Sequence, residues 1–167
     1  MGPLDNIVVL DLSRILAGPF STQILSDLGA TVWKVESPWG DDTRKWGPPF
    51  IEGESAYYLS ANRGKKSMIV NLRDERGQAI IKQMAQKADI LVENFKVGDL
   101  ARRGLDYDSV STINPRLIYA SVTGFGQTGP RAPEPGYDAA LQGMTGVMSV
   151  TGETDGPPYK VGVAWID

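Results

Sequence analysis

The chain has 167 residues, 41% of them hydrophobic, with a formal net charge of −3 and neither Cys nor His. That length suits one ordinary core, the acidic balance argues against a general nucleic-acid binder, and no apolar run reaches the roughly 18 residues of a membrane span. The two missing residue types remove disulfides, thiolate chemistry, Cys-bound zinc, and the commonest general base and metal ligand.

Catalysis carried by these residues therefore falls to carboxylates, Lys, Tyr, Ser/Thr or backbone N–H groups. A carboxylate is the nucleophile that needs least activation, because it is ionised at neutral pH. Asp5 interrupts the N-terminus before any basic-then-apolar signal pattern forms, so the expected location is the cytoplasm.

Residues 7–11 (IVVLD) form a short β-branched run leading into SRILAGP. Phe20, Ile24, Leu25 and Leu28 then follow helical spacing, with Pro19 near the start and Gly29 just past the end. Residues 31–36 (TVWKVE) read as a second strand, and strand–helix–strand in about thirty residues is a βαβ unit, which builds parallel sheets. Residues 37–55 are rich in Pro, Gly and charge yet carry Trp39, Trp46 and Phe50. They read as a functional loop or as a surface excursion with aromatics tucked onto the body.

A short helix is expected over 56–62, a strand over 67–72 and an amphipathic helix over 75–87, with Ile80, Ile81, Met84 and Ala88 as its stripe. Strands follow at 88–93 (ADILVE) and 117–122 (LIYASV), with short helices at 97–103 and 107–113 between them. Residues 124–136 are a Pro-rich loop, and 137–150 look helical with a glycine-tolerant face at Gly143 and Gly146. Residues 160–167 (KVGVAWID) read as a buried strand ending on Asp167. The reading is an α/β layer structure with a mostly parallel sheet flanked by helices.

Four places could serve a phosphorylated or acyl ligand, and each has a plainer reading. Ala17-Gly18-Pro19 opens a helix after a strand, where N–H groups and the helix dipole favour anions; it lacks the GxGxxG pattern and equally suits an ordinary helix start. Asn62-Arg63-Gly64-Lys65-Lys66 offers phosphate-binding cations or a solvated basic turn. Glu93-Asn94-Phe95-Lys96, followed by Arg102 and Arg103, suits a nucleotide or a strand-to-helix cap. Asp138 reads as a helix cap or a site residue. Asp167 ends a strand where α/β proteins place chemistry, or caps a helix beyond it. A chain closing on such a residue, without turn or polar tail, is expected to be a portion of a longer protein.

In chain order, the segments PLDNIVVLDLSRILAGPF, LGATVWKVESP, GDDTRKWGPPF, NRGKKSMIVNL, ADILVENF, NPRLIYASVTGFGQTGP, GYDAALQGMTGVMSVTG and DGPPYKVGVAWID run through nearly the whole sequence. Together they resemble the class III CoA-transferase family, the group that includes formyl-CoA transferase, carnitine CoA-transferase and α-methylacyl-CoA racemase. The resemblance implies that residues 1–167 are the N-terminal, CoA-binding Rossmann-like portion of a longer enzyme. In that family the portion is completed by a second domain and a returning C-terminal segment, in a homodimer whose subunits interlock.

The resemblance makes Asp167 the nucleophilic aspartate, attacking an acyl-CoA thioester and then carrying CoA itself before a small carboxylic acid accepts it. It places CoA against Leu16 and Ala17, against Val70, Asn71, Leu72 and Arg73, against Asn94, Phe95, Lys96 and Arg102, and against Glu134, Pro135, Gly136 and Tyr137. Trp46 matches an active-site aromatic. Coenzyme A and its acyl thioesters are substrates, with no tightly bound cofactor, no metal, no nucleic acid and no membrane partner.

Two departures matter. Leu16 stands where the formyl-CoA enzyme has Gln, which argues against formate or oxalate, and Ser37 stands where it has Arg, so a phosphate or adenine contact is missing or supplied elsewhere. Racemase members carry His where Tyr137 stands, so transfer is favoured over racemisation. The GDDTRKWGPPF loop looks most like the branch acting on succinate and glutarate. The fragment alone is expected to be inactive. The alternatives are an acyl-CoA racemase or epimerase of the same family, and a CoA-binding module without turnover.

Overall fold

The computed structural model describes residues 2–166; Asp167 lies outside them. The chain divides into two compact units, residues 1–122 and 123–167.

The first unit begins with β1 (Val8–Asp11), α1 (Ala17–Asp27) and β2 (Thr31–Glu36), the expected βαβ unit. The excursion that follows is ordered. It holds a 3-10 turn at Asp42–Lys45 and a small hairpin of β3 (Phe50–Ile51) and β4 (Glu54–Ser55). Next come α2 (Ala56–Asn62), β5 (Lys66–Ile69), α3 (Glu75–Ala85), β6 (Ile90–Glu93), α4 (Tyr107–Ser111) and β7 (Ile118–Ser121). The helix expected at 97–103 is only a 3-10 turn at Ala101–Arg103, closed by Gly104 in the left-handed region.

The sheet order is β5-β2-β1-β6-β7, and every adjacent pair runs parallel. Successive strand residues alternate between its faces. Leu10 joins Val35, Ile81, Ala85 and Leu91 in one buried layer, while Val9 joins Val32, Ala30 and Val92 in the other, with Leu25 packed against it. Burial on both sides explains why these strands read as continuous apolar runs.

The order of strand addition reverses at β1: β2 and β5 are laid down on one side, β6 and β7 on the other. The carboxyl ends of β1 and β6 therefore flank a topological switch point, where open parallel sheets place ligands. An apolar groove of about 340 Å³ also opens beside β5 and α3, lined by Trp33, Met68, Ile80 and Met84. Trp33 pairs with Lys66, the first residue of β5, so the groove reaches the amino end of that strand.

The second unit contains α5 (Asp138–Met144) and a 3-10 turn at Val147–Val150. The single helix expected over 137–150 is broken because Gly146 adopts φ +83°, a conformation that other residues reach only with strain. Of the strand expected over 160–167, the described residues 160–166 form none: they are irregular and mostly exposed. Their apolar alternation has no neighbouring strand among the described residues of this unit. No helix among the described residues is long and apolar enough to cross a membrane.

Candidate active site

The loop from β1 into α1 runs along the switch point, and its backbone is fixed by three side chains from other parts of the chain and by Asp11 at the end of β1. Asn94, just past β6, accepts the Arg14 N–H at 2.9 Å and donates its amide N–H to the Arg14 carbonyl at 2.7 Å. Asp41 accepts the Ile15 N–H at 3.3 Å, and Lys34 donates to the Ser13 carbonyl at 3.2 Å. Asp11 accepts from both the N–H and the hydroxyl of Ser13. Ile15 sits at φ +71°, which is costly for a β-branched residue and persists only where surroundings over-determine it. The loop lies so close to the first turn of α1 that a Cβ on Gly18 would strike the Ser13 side chain.

Beneath the loop is a run of buried charge that the strand patterns did not foretell. Lys34 is 0% exposed and pairs with Asp41 at 3.1 Å. Lys65, with its side chain buried, bonds Asp11 at 3.0 Å, the Pro19 carbonyl at 2.7 Å and Asn62 at 3.1 Å. Burial pushes the Lys65 ammonium down to about 8, against the pull of Asp11. Arg63 instead pairs with Asp27 on the surface. The basic segment is thus neither a free phosphate cradle nor a wholly solvated turn.

Glu36, at the end of β2, accepts from five groups: two nitrogens of Arg44, the Tyr58 hydroxyl, the Ser67 hydroxyl and the Asp41 N–H. Burial raises its pKa, but those donors outweigh burial and bring it down to about 2. Burial likewise raises Asp41, and Lys34 and Thr43 overcome it, leaving the carboxyl below its ordinary value. A signal for this cluster was present: Lys34 and Glu36 interrupt an apolar strand, and long charged residues are almost never buried without partners.

The expected CoA residues of this unit follow the carboxyl ends of its strands, except Arg102, which lies in the 3-10 turn at Ala101–Arg103. Leu16 occupies the position before α1, Ala17 opens that helix, and no side chain caps it. Phe95 follows Asn94, and the Arg14 guanidinium lies 5.7 Å from its ring centroid. The Asn94 side chain thus holds the loop at both backbone groups of Arg14. Lys96 is exposed at the surface, and Arg102 pairs with Asp99. Val70 is buried, whereas Asn71 and Arg73 are exposed in the turn after β5. Trp46 packs edge-on against Tyr57, ring centroids 5.2 Å apart.

In the second unit, Glu134 accepts hydrogen bonds from two nitrogens of Arg131, whose guanidinium sits 4.0 Å from the Phe125 centroid. The Arg131 bonds hold Glu134 below its usual carboxylate value. Gly136 presses against Gly124, with only 2.6 Å between an added Cβ and the Gly124 Cα, and Tyr137 is exposed. Asp138 is the first residue of α5 but does not cap it. Its carboxylate accepts the Ile166 N–H at 2.8 Å and the Gln142 amide at 2.7 Å. Gln142, fully buried, also donates to the Val163 carbonyl and accepts the Val161 N–H. One helix turn thereby holds the segment leading to Asp167, which itself lies outside the described residues.

Comparison with known proteins gives this arrangement a context. The chain is 54% identical, over 99% of its length, to a succinate–glutarate CoA-transferase of Agrobacterium fabrum. It is 52% identical to the human succinyl-CoA:glutarate CoA-transferase over 99% of its length, and 52% identical to an acetyl-CoA:oxalate CoA-transferase of Acetobacter aceti over 96%. It spans 43%, 38% and 41% of those three proteins. A crystal structure of a CAIB/BAIF family protein from Brucella suis superposes with a TM-score of 0.94 at 54% identity, covering 98% of this chain and 44% of that one. Residues 4–167 match the model of CoA-transferase family III, and the chain belongs to that family.

Proposed function

We propose that the whole protein transfers CoA from an acyl-CoA to a dicarboxylic acid and that residues 1–167 form its CoA-binding portion. The observation that carries this reading is the 54% identity to a succinate–glutarate CoA-transferase across 99% of the chain. A chain without His or Cys is compatible with the chemistry, which uses an ionised carboxylate and no general base.

Asp167 is the nucleophile in this proposal. Its carboxylate attacks the thioester carbonyl, the C–S bond breaks, and CoA thiolate leaves a mixed anhydride on the enzyme. The thiolate attacks the aspartyl carbonyl of that anhydride, expelling the donor acid and forming an aspartyl-CoA thioester. The acceptor carboxylate repeats the sequence: it displaces thiolate to form a second anhydride, and the thiolate then takes the acceptor's acyl group and frees Asp167. Each step exchanges one carboxylate for one thiolate, so no proton is gained or lost.

The fixed β1–α1 loop, with Leu16 and Ala17, supports the CoA reading, as do the strand-end residues Asn71, Arg73, Phe95, Lys96 and Arg102. Glu134 to Tyr137 supply the contacts near the thioester, and Trp46 borders the acid. The whole protein acts as a homodimer with CoA as a passing substrate, and the isolated 1–167 portion does not turn over.

The acceptor is assigned to the succinate and glutarate class. Relatives named for glutarate and for oxalate are similarly identical to this chain, so overall similarity does not choose between them, and Leu16 is the residue that speaks against oxalate. The test is transfer from succinyl-CoA by the full-length protein to glutarate and to oxalate, with Asp167→Ala beside the wild type. Transfer to glutarate that vanishes in the variant is expected; a variant with wild-type rate overturns the mechanism, and preference for oxalate overturns the acceptor assignment.

A further inference from the structure

The β1–α1 loop carries Leu16 and the excursion over residues 37–55 carries Trp46, and the two segments meet at one carboxylate. Asp41 turns Oδ2 to the loop. That oxygen accepts the Ile15 N–H at 3.3 Å, directly before Leu16, and the Lys34 ammonium at 3.1 Å, which also donates to the Ser13 carbonyl. Asp41 turns Oδ1 to its own excursion, where it accepts the Thr43 N–H at 3.0 Å and the Thr43 hydroxyl at 2.7 Å. The Thr43 carbonyl then accepts the Trp46 N–H at 3.1 Å, and the Trp46 carbonyl accepts the Ser55 hydroxyl. A continuous run of hydrogen bonds therefore leads from the residue before Leu16 to Trp46.

Four donors fill the accepting directions of a carboxylate, so Asp41 has none left for a substrate. Asp41, Lys34 and Thr43 are all buried, so water does not replace a bond lost here. An amide could not do the same work. With its oxygen toward Thr43, its NH2 would face the Ile15 N–H and the Lys34 ammonium; flipped, its NH2 would face the two Thr43 donors. Releasing the Ile15 N–H would also let that residue leave φ +71°, and Leu16 would move with it.

We propose that Asp41 is a positioning residue that fixes Leu16 relative to Trp46 and thereby sets which acid is accepted. The proposal rests on the CoA-transferase reading, in which Leu16 disfavours oxalate and Trp46 borders the acid. The separation of these two side chains then decides the room left for the acceptor, and displacing a group by about 1 Å is enough to cost a large part of the rate.

The test uses the full-length protein with succinyl-CoA as donor and glutarate or oxalate as acceptor, together with CoA affinity. Thr43→Val keeps the shape of the side chain and removes only its hydroxyl, leaving the bonds of Oδ2 to Lys34 and Ile15 in place. It is expected to lower kcat/KM for glutarate about tenfold and to narrow the preference over oxalate, with CoA affinity unchanged. Thr43→Ser keeps the hydroxyl and should restore both values. Asp41→Asn disturbs both oxygens and should weaken CoA binding and acceptor transfer together; if it does not fold, the two Thr43 variants decide. Wild-type acceptor preference in Thr43→Val overturns the proposal, as does equal loss in Thr43→Val and Thr43→Ser, which would show a demand for packing and not for the hydrogen bond. A wild type that transfers CoA to neither acid overturns the transferase reading before any substitution is compared.

Discussion

Asn94 satisfies both backbone groups of Arg14, accepting its N–H at 2.9 Å and donating to its carbonyl at 2.7 Å. This reciprocal pair joins the chain just past β6 to the chain just past β1, across the switch point of the sheet. It also keeps the neighbouring Ile15 at φ +71°. Replacing Asn94 with Ala should release the loop more than it unfolds the protein, because water can reach the freed groups. The expected stability loss is about 1–2 kcal/mol, readable as a shift in urea midpoint at constant slope. CoA affinity should fall several-fold, and an unaltered affinity would show that the loop does not need this clamp.

Glu36 gives the fold a definite acid limit. Its carboxyl titrates at about 2 in the folded protein against an ordinary 4.5. The unfolded state therefore binds more protons between those values, and stability falls as the solution is acidified through that window. The contribution is fully present above about pH 4.5 and is on the order of 3 kcal/mol. Asp41 is shifted in the same direction and adds to the slope with the same sign. Denaturant titrations of Glu36→Gln between pH 5 and pH 3 should show a flatter pH dependence than the wild type, along with lower stability at neutral pH.

The centre of the parallel sheet was legible because both faces of β1, β2 and β6 are covered, which turns these strands into apolar runs separated by helical periods. The buried polar layer was less so. Lys34 and Glu36 look like the polar positions of a half-exposed strand, and only their three-dimensional partners (Asp41, Arg44, Tyr58, Ser67) account for their place inside. The KVGVAWI stretch misled for a different reason: a strand needs a neighbour, and sequence alternation carries no information about whether one is available. The resemblance pointed to Asn94 as a ligand contact but gave no sign that its side chain also clamps both backbone groups of Arg14.

Lys65 and Asp11 form an ion pair with side-chain exposures of 1% and 0%. Removing one member of such a pair is far costlier than removing both, since the survivor keeps its charge without its partner. Lys65→Met should therefore lose on the order of 3–5 kcal/mol in chemical unfolding. Adding Asp11→Asn should recover much of it, because Ser13 and Thr22 still bond residue 11 in the native chain. Additive losses in the double variant would show that the pair is not coupled.

Asp138 and Gln142 together determine how residues 161–166 run. The Gln142 amide donates to Asp138 and to the Val163 carbonyl, and its oxygen accepts the Val161 N–H. The second Asp138 oxygen accepts the Ile166 N–H, and that bond is the leading reason its pKa lies below the ordinary value. Asp138→Asn is nearly isosteric but cannot accept from both partners. If its oxygen takes the Ile166 N–H, its NH2 faces the NH2 of Gln142; flipping Gln142 would relieve that contact only by breaking the bonds to Val161 and Val163. Amide exchange at residues 161–166 should therefore quicken in Asp138→Asn nearly as much as in Asp138→Ala. Exchange within α1 and the central strands should stay at the wild-type rate. Transfer by the full-length protein should fall in both variants through a lower kcat, because the segment leads directly into Asp167. Full protection of residues 161–166 in Asp138→Asn would show that shape, and not the two accepted hydrogen bonds, holds them.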